Sequence, residues 1–192
     1  MLRAIAFAAA LGAAAGALAA PEEFTLDPGH TFPVFEVRHL GISTQRGRFS
    51  RTTGRILLDR DTGAASAEIR IDARSVDTGN EELDRMLRNQ YYFNVAEFPE
   101  ITYAAKSFVL AEGQPGTIDG QLTFLGVTKP VPLTVLGYKC TRLPTIVTLR
   151  CGVDLAGTFR RSDFGLTTMA GFVSDEVTLV IQAEAVREVP AN

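Results

Sequence analysis

From Glu23 onward the chain alternates apolar and polar positions, with glycine, proline and aspartate marking the breaks. Period-two alternation predicts half-buried strands. The cleanest case is AASAEIRIDARSVD, where Ala67, Ile69, Ile71 and Ala73 share one face and Glu68, Arg70, Asp72 and Arg74 the other. That is the signature of an antiparallel strand with one face in water. HTFPVFEVRHL puts Thr31, Pro33, Phe35, Val37 and His39 on one face, and its proline argues for an edge, a bulge or a strand start. In RGRFSRTTGRILLD, Phe49 and Ile56 are out of phase, which predicts a bulge between Ser50 and Thr53. EITYAAKSFVL, TIDGQLTFLG, KPVPLTVLGYKC, TIVTLRCGVDLAGTF and SDEVTLVIQAEAV complete the strands. Turns are expected at Pro28-Gly29, from Glu112 to Gly116, from Gly126 to Lys129 and around Arg142 to Pro144.

One stretch breaks the pattern, GNEELDRMLRNQYYFNVAEFPEITY, from Gly79 to Tyr103. Asn80 is a good N-cap, Glu81 and Glu82 place negative charge in the first turn, and Leu83, Met86 and Leu87 fall on one helical face. The exit is aromatic, with Tyr91, Tyr92, Phe93 and Phe98 close together, and Pro99 stops further helix. About eight strands with short connections and one short helix predict an all-β fold, a single antiparallel β-barrel that closes to remove its edges, with the helix near the barrel mouth. A two-sheet sandwich is the alternative. A barrel of this size is either filled by side chains or holds one small apolar ligand.

The ends change the picture. Arg3, the apolar run from Ile5 to Leu18 and the Ala17-Leu18-Ala19 cleavage pattern predict a signal peptide over residues 1–19, leaving one domain over residues 20–192. A retained anchor is the alternative, but small alanines make a weak one. Export makes the two cysteines informative. Cys140 and Cys151 in KCTRLPTIVTLRC suit a disulfide across a two-strand hairpin in an oxidising compartment. Losing Arg3 leaves 18 basic against 22 acidic residues, a net charge of −4. That balance, with no basic cluster, excludes nucleic acid and anionic headgroups as expected partners.

Catalytic chemistry is poorly supplied. His30 and His39 are the only histidines, and no serine sits in a G-x-S-x-G turn. Ser162, His39 and Asp163 make a triad on paper only, since the adjacent Ser162 and Asp163 would point to opposite faces of a strand. No metal set is expected, because the histidines are nine apart and neither cysteine has a neighbouring ligand. The apolar supply is more suggestive. Tyr91, Phe93, Phe98 and Tyr103 sit where the helix re-enters the sheet, and Phe164, Met169 and Phe172 sit in RRSDFGLTTMAGF. With the helix face of Leu83, Met86 and Leu87 they either line one mouth of a barrel or plug it.

The strings DPGHTFPVFEVRHLG, RGRFSRTTGRILLD, SAEIRIDARSVDTGNEELD, FNVAEFPEITY, GQLTFLGVTKPV and RRSDFG with SDEVTL resemble, in order, the YceI-like family of polyisoprenoid-binding proteins. The resemblance implies a secreted, lipocalin-like antiparallel barrel whose tunnel holds a long isoprenoid chain, often a quinone or its precursor. By position it implies that Phe35, Val37, Phe49, Ile69 and Ile71 line the tunnel; Phe124, in TIDGQLTFLG, is a further candidate ligand-binding residue. His39 matches the family histidine ending the second strand, and Arg161 to Gly165 match its arginine-serine-aspartate-phenylalanine-glycine turn. A buried arginine-aspartate pair there would serve either a headgroup or the locking of the turn. Two departures favour an apolar site: Met86 stands where relatives carry histidine, and Leu125 where a basic residue usually precedes the Gly126-to-Pro130 turn.

The resulting expectation is a periplasmic, non-enzymatic protein that holds a long-chain polyisoprenoid or isoprenoid quinone for transport or storage. No cofactor, no metal and no stable membrane insertion are expected, and a homodimer is allowed. A solid-barrel interaction protein and an enzyme acting on a bound quinone, with His39, Arg161 and Asp163 as its polar cluster, are the competing functions.

Overall fold

The computed structural model describes residues 21–142 and 148–188; the expected signal peptide and the tip of the expected turn around Arg142 to Pro144 lie outside them. Eleven strands form one sheet: β1 (Glu22–Leu26), β2 (Phe32–His39), β3 (Ser43–Phe49), β4 (Thr52–Leu58), β5 (Ala64–Asp72), β6 (Val76–Asp77), β7 (Glu100–Val109), β8 (Gly116–Phe124), β9 (Val127–Arg142), β10 (Thr148–Arg160) and β11 (Glu176–Glu188). Every strand pairing is antiparallel, and β1 meets both β4 and β11, which closes the ring. β1 and β2 lie end to end along β11, and β3 runs on into β4, so the wall is an eight-stranded barrel.

The phase shift after Phe49 is real, but it is a break between two strands. Phe49 and Thr52 both point inward across Ser50 and Arg51, whose amides donate to the Ser75 carbonyl and hydroxyl. The expected strand through Val76 is likewise interrupted. Asp72 accepts from the Arg74 amide and the Ser75 hydroxyl donates to the Asp72 carbonyl, folding Ala73–Ser75 into a 3-10 turn before β6 pairs with β3. The β8–β9 turn sits at Leu125-Gly126, two residues earlier than Gly126 to Lys129 suggests, with φ of 50° and 73°. Two left-handed residues give the primed turn that matches strand twist. The misleading signal is Lys129-Pro130. Pro130 and Pro132 belong to the part of β9 that has no β10 partner, where a missing N–H costs nothing.

Two side chains close weak points of the wall. β7 and β8 share only three ladder pairs, Thr102–Thr123 to Ala104–Gln121, although they run side by side. Tyr103 of β7 ties this seam across β8 to β9: its ring lies over Gly120, where any Cβ would collide with it, and its hydroxyl is shared between the Ile118 and Val131 carbonyls, 3.0 Å from each. Burial pushes the Tyr103 phenol up to about 12. In β9, Leu136 is the extra residue of a bulge opposite Asp154 and Leu155, which brings Tyr138 and Cys140 back to the inside.

The helix α1 (Glu81–Arg88) starts where its cap demands, with the Asn80 side chain accepting from the amides of Glu82 and Leu83. Asp84, buried, accepts from the amide and hydroxyl of Thr78, and Arg88 donates to the carbonyls of Arg74 and Val76. These bonds fix the helix against β6, so its apolar face is aimed over one barrel end.

Candidate functional site

Inside the barrel runs a cavity of about 730 Å3. Its deep end is lined by Cys151, Tyr138, Phe108 and Leu110, and its other end by Met86 on α1 and Met169 in the β10–β11 loop. Among the described residues, those of its wall that are exposed gather at one rim. Gln45, Arg46, Asn80, Glu82, Met86 and Met169 line it and are exposed, so the mouth lies between the β2–β3 hairpin, α1 and the β10–β11 loop. The inward positions of β2, β4, β5 and β11, among them Phe35, Ile56, Ala67, Ile69, Leu179 and Ile181, are only half-buried. What they face is the cavity.

A chain of phenylalanines crosses the mouth end. Phe35, Phe49, Phe93, Phe124, Phe164 and Phe159 follow one another at centroid separations of 5.2–6.0 Å. Phe35 lies flat against Gly47 of the next strand, at a position where a Cβ would overlap its ring. The ring of Phe93, at the helix exit, touches both halves of this belt. The aromatics therefore narrow the upper cavity without plugging it.

The cavity wall includes Phe35, Val37, His39, Phe49, Ile69, Ile71, Leu83, Met86, Leu87, Phe93, Tyr103, Phe124, Arg161 and Met169. Four expected lining residues fall elsewhere. Tyr91 is exposed and Tyr92 takes the inward place, because α1 ends at Arg88 and the Asn89 turn, not helical spacing, sets which ring points in. Phe98 packs outside the wall over Gly126. Phe164 is buried behind Phe124 and Phe159. Asp163 is exposed, so the buried arginine-aspartate pair does not form. Arg161–Phe164 is a 3-10 turn, not a strand, and the Ser162 hydroxyl donates to Asp175, 2.7 Å away. That bond and the one from the Ser162 amide hold the Asp175 carboxyl below the usual range.

Arg161 is the most consequential polar residue here. It is 5% exposed, and its guanidinium donates to the carbonyls of Leu166, Thr168, Val173 and Ser174 at 2.6–3.1 Å. It clasps the β10–β11 loop around the mouth. Residues not singled out in the sequence include Leu122, Leu133, Leu155, Val177, Leu179 and Ile181. The alternation along β10 and β11 carried that signal.

The opposite part of the wall is stapled. Cys140 and Cys151 face each other across β9–β10 and are disulfide-bonded, with Cα atoms 4.0 Å apart. Burial, with Glu112 nearby, pushes the Tyr138 phenol up; its oxygen lies 3.0 Å from the Cys140 sulfur. On the outer face, Arg150 reaches Asp27 and Glu184 at 2.6 Å each, while the His30 ring meets Asp27 at 2.9 Å. The Arg150 hydrogen bond holds the Asp27 carboxyl below its ordinary range against the opposing effect of burial. Asp27, His30 and Glu184 lie close enough to suggest a metal site, but the Arg150 guanidinium already occupies a carboxylate oxygen of each acid.

Residues 24–185 match the model of the YceI-like domain. The chain belongs to the YceI-like family. A UPF0312 protein of Pectobacterium carotovorum subsp. carotovorum (strain PC1) is 35% identical over 181 residues, covering 93% of this chain and 92% of that protein. Among solved structures, BcnA of Burkholderia cenocepacia superposes with a TM-score of 0.70 at 20% identity, covering 83% of this chain and 98% of its own. A domain from Saccharophagus degradans described as polyisoprenoid-binding superposes at 0.60, with 20% identity and coverage of 87% and 98%. The last two likenesses establish a shared barrel. No helix among the described residues is long and apolar enough to cross a membrane.

Proposed function

We propose that this YceI-like protein is an exported carrier that holds one long apolar lipid, a polyisoprenoid or isoprenoid quinone, in its barrel for transport or storage in the periplasm. The observation that carries this reading is the continuous cavity of about 730 Å3, walled by apolar side chains and open at one rim. That size is inside the roughly 300–1,000 Å3 range of small-molecule sites, and it speaks against a solid barrel. Each buried methylene contributes about 0.8 kcal/mol, so a few isoprene units supply useful affinity without directional contacts. The polyisoprenoid-binding description of the Saccharophagus domain supports the ligand class. The disulfide fits an oxidising compartment, as the N-terminal export pattern requires.

Binding is favoured over catalysis because the candidate polar cluster does not assemble: His39 and Arg161 line the cavity, but Asp163 is exposed outside it. Arg161 holds backbone carbonyls and Ser162 holds Asp175. Titration with a fluorescent long-chain polyprenol should saturate near one ligand per chain. Ala67→Phe, which extends a ring into the cavity, should weaken binding about tenfold or more while the barrel stays folded. Saturable binding of equal strength in that variant would place the lipid elsewhere.

A further inference from the structure

Ten large apolar side chains stand out as exposed among the described residues, and six of them ring the cavity mouth: Leu40, Ile42, Met86, Tyr91, Met169 and Phe172. Leu40 and Ile42 form the tip of the β2–β3 hairpin, Met86 and Tyr91 come from α1 and its exit, and Met169 and Phe172 from the β10–β11 loop. The tips are joined to one another. The Leu40 amide donates to the Phe172 carbonyl at 2.7 Å, the Ser174 amide to the Arg38 carbonyl at 2.9 Å, and the Thr168 hydroxyl to the Tyr91 carbonyl. Ile42 is 78% exposed and Phe172 55%, so neither is needed to fill the core.

Backbone conformation adds a second observation. Leu40 and Met169 sit at φ of 53° and 60°, a region that costs a branched or long side chain roughly 1 kcal/mol or more and that asparagine or glycine would occupy with less strain. Two loops thus hold apolar side chains outward in conformations their chemistry disfavours. Arg38 lies beneath the hairpin tip, donating to the Gly41 carbonyl and the Thr44 hydroxyl, with no carboxylate partner among the described residues. It is placed to meet a phosphate once the tip is immersed.

We propose that this rim docks reversibly on a zwitterionic lipid surface, seating the mouth in the headgroup region so that a lipid passes between bilayer and cavity without crossing water. The inference rests on the lipid-binding reading above. A bilayer fits better than a protein because the tips surround an opening: hydrocarbon would continue the apolar cavity, whereas a flat partner would seal it. Immersion of about 5–10 Å is usual for interfacial elements, a depth that takes in exposed tip side chains such as Ile42 and Phe172. The acidic balance of the chain argues against anionic lipid as the driver.

The test is flotation of the exported, processed chain with phosphatidylcholine vesicles. Ile42→Asp with Phe172→Asp should reduce vesicle-bound protein roughly tenfold or more, whereas Leu57→Asp, at an exposed apolar position on the outer wall, should leave it unchanged. Neither Ile42 nor Phe172 lines the cavity, so the double variant should bind a fluorescent farnesyl probe in vesicle-free buffer as the parent does. A parent that takes the probe but does not float overturns the docking proposal alone; one that takes neither overturns the lipid-binding reading with it. Dimers that dissociate in the double variant, without vesicle binding in the parent, would assign the rim to a second copy of this chain.

Discussion

The two ends of this barrel are built by opposite means. Away from the mouth the wall is held by a covalent bridge between β9 and β10, a tyrosine against that bridge, and an arginine clamped by two carboxylates outside. At the mouth there is no covalent tie. A single buried guanidinium gathers the β10–β11 loop by its carbonyls, and six large apolar side chains face outward among the exposed polar ones. The staple and the apolar side chains of the mouth thereby serve different properties. A change in the staple should move stability with little effect on affinity, and a change in an apolar mouth side chain the reverse, while the Arg161 clasp that builds the mouth bears on stability first.

The largest expected effect comes from removing the mouth clasp. Arg161→Met leaves four carbonyls without their donor and should cost about 3–5 kcal/mol of unfolding free energy, read as a drop in the urea midpoint. A loss below 1 kcal/mol would mean that the loop is organised by its own turns. Next is the floor. Cys140→Ala with Cys151→Ala should cost about 2–3 kcal/mol while polyprenol affinity changes little, because the staple shapes the wall and not the mouth. An equal loss of stability and affinity would erase the distinction between the ends. Met86→His should do the reverse, weakening hydrocarbon binding about three- to tenfold with stability nearly intact. Unchanged affinity would place that side chain outside the ligand's path.

The smallest effect is electrostatic. The folded-state pKa of Asp27 lies below its unfolded value, so its pairing with Arg150 contributes stability that is complete above the unfolded value and is lost as the pH falls through the folded one. Asp27→Asn should therefore be less stable than the parent at neutral pH, by under about 1 kcal/mol for a pair this accessible, and the gap should close in acid below about pH 4. A gap that persists at low pH would show that the loss is one of packing.

Much of the barrel is legible in the sequence wherever one physical rule acts alone. Alternation along β5 separates Ile69 and Ile71 from Glu68 and Arg70 because one face is wet, and the cap at Asn80 starts α1 on time. The cysteine spacing finds its register because a hairpin must bring Cys140 opposite Cys151. Legibility fails where tertiary contacts overrule local signals. Lys129-Pro130 looks like a turn until β9 is seen to lack its β10 neighbour. Tyr91 and Tyr92 exchange roles because the Asn89 turn resets the phase. Arg161 reads equally as a headgroup ligand and as a lock on its turn until its carbonyl partners, as many as thirteen residues away in the chain, decide for the lock. The mouth, made of loops, is where local pattern says least.

The central claim is that the cavity exists to hold a lipid. Native mass spectrometry of the protein isolated from its own host, before any exposure to detergent, tests this most directly. The account predicts a species heavier than the processed chain by the mass of one long apolar lipid, released as an isoprenoid on activation. Protein that flies at its bare mass throughout, and that stays empty when offered polyprenol, would contradict it.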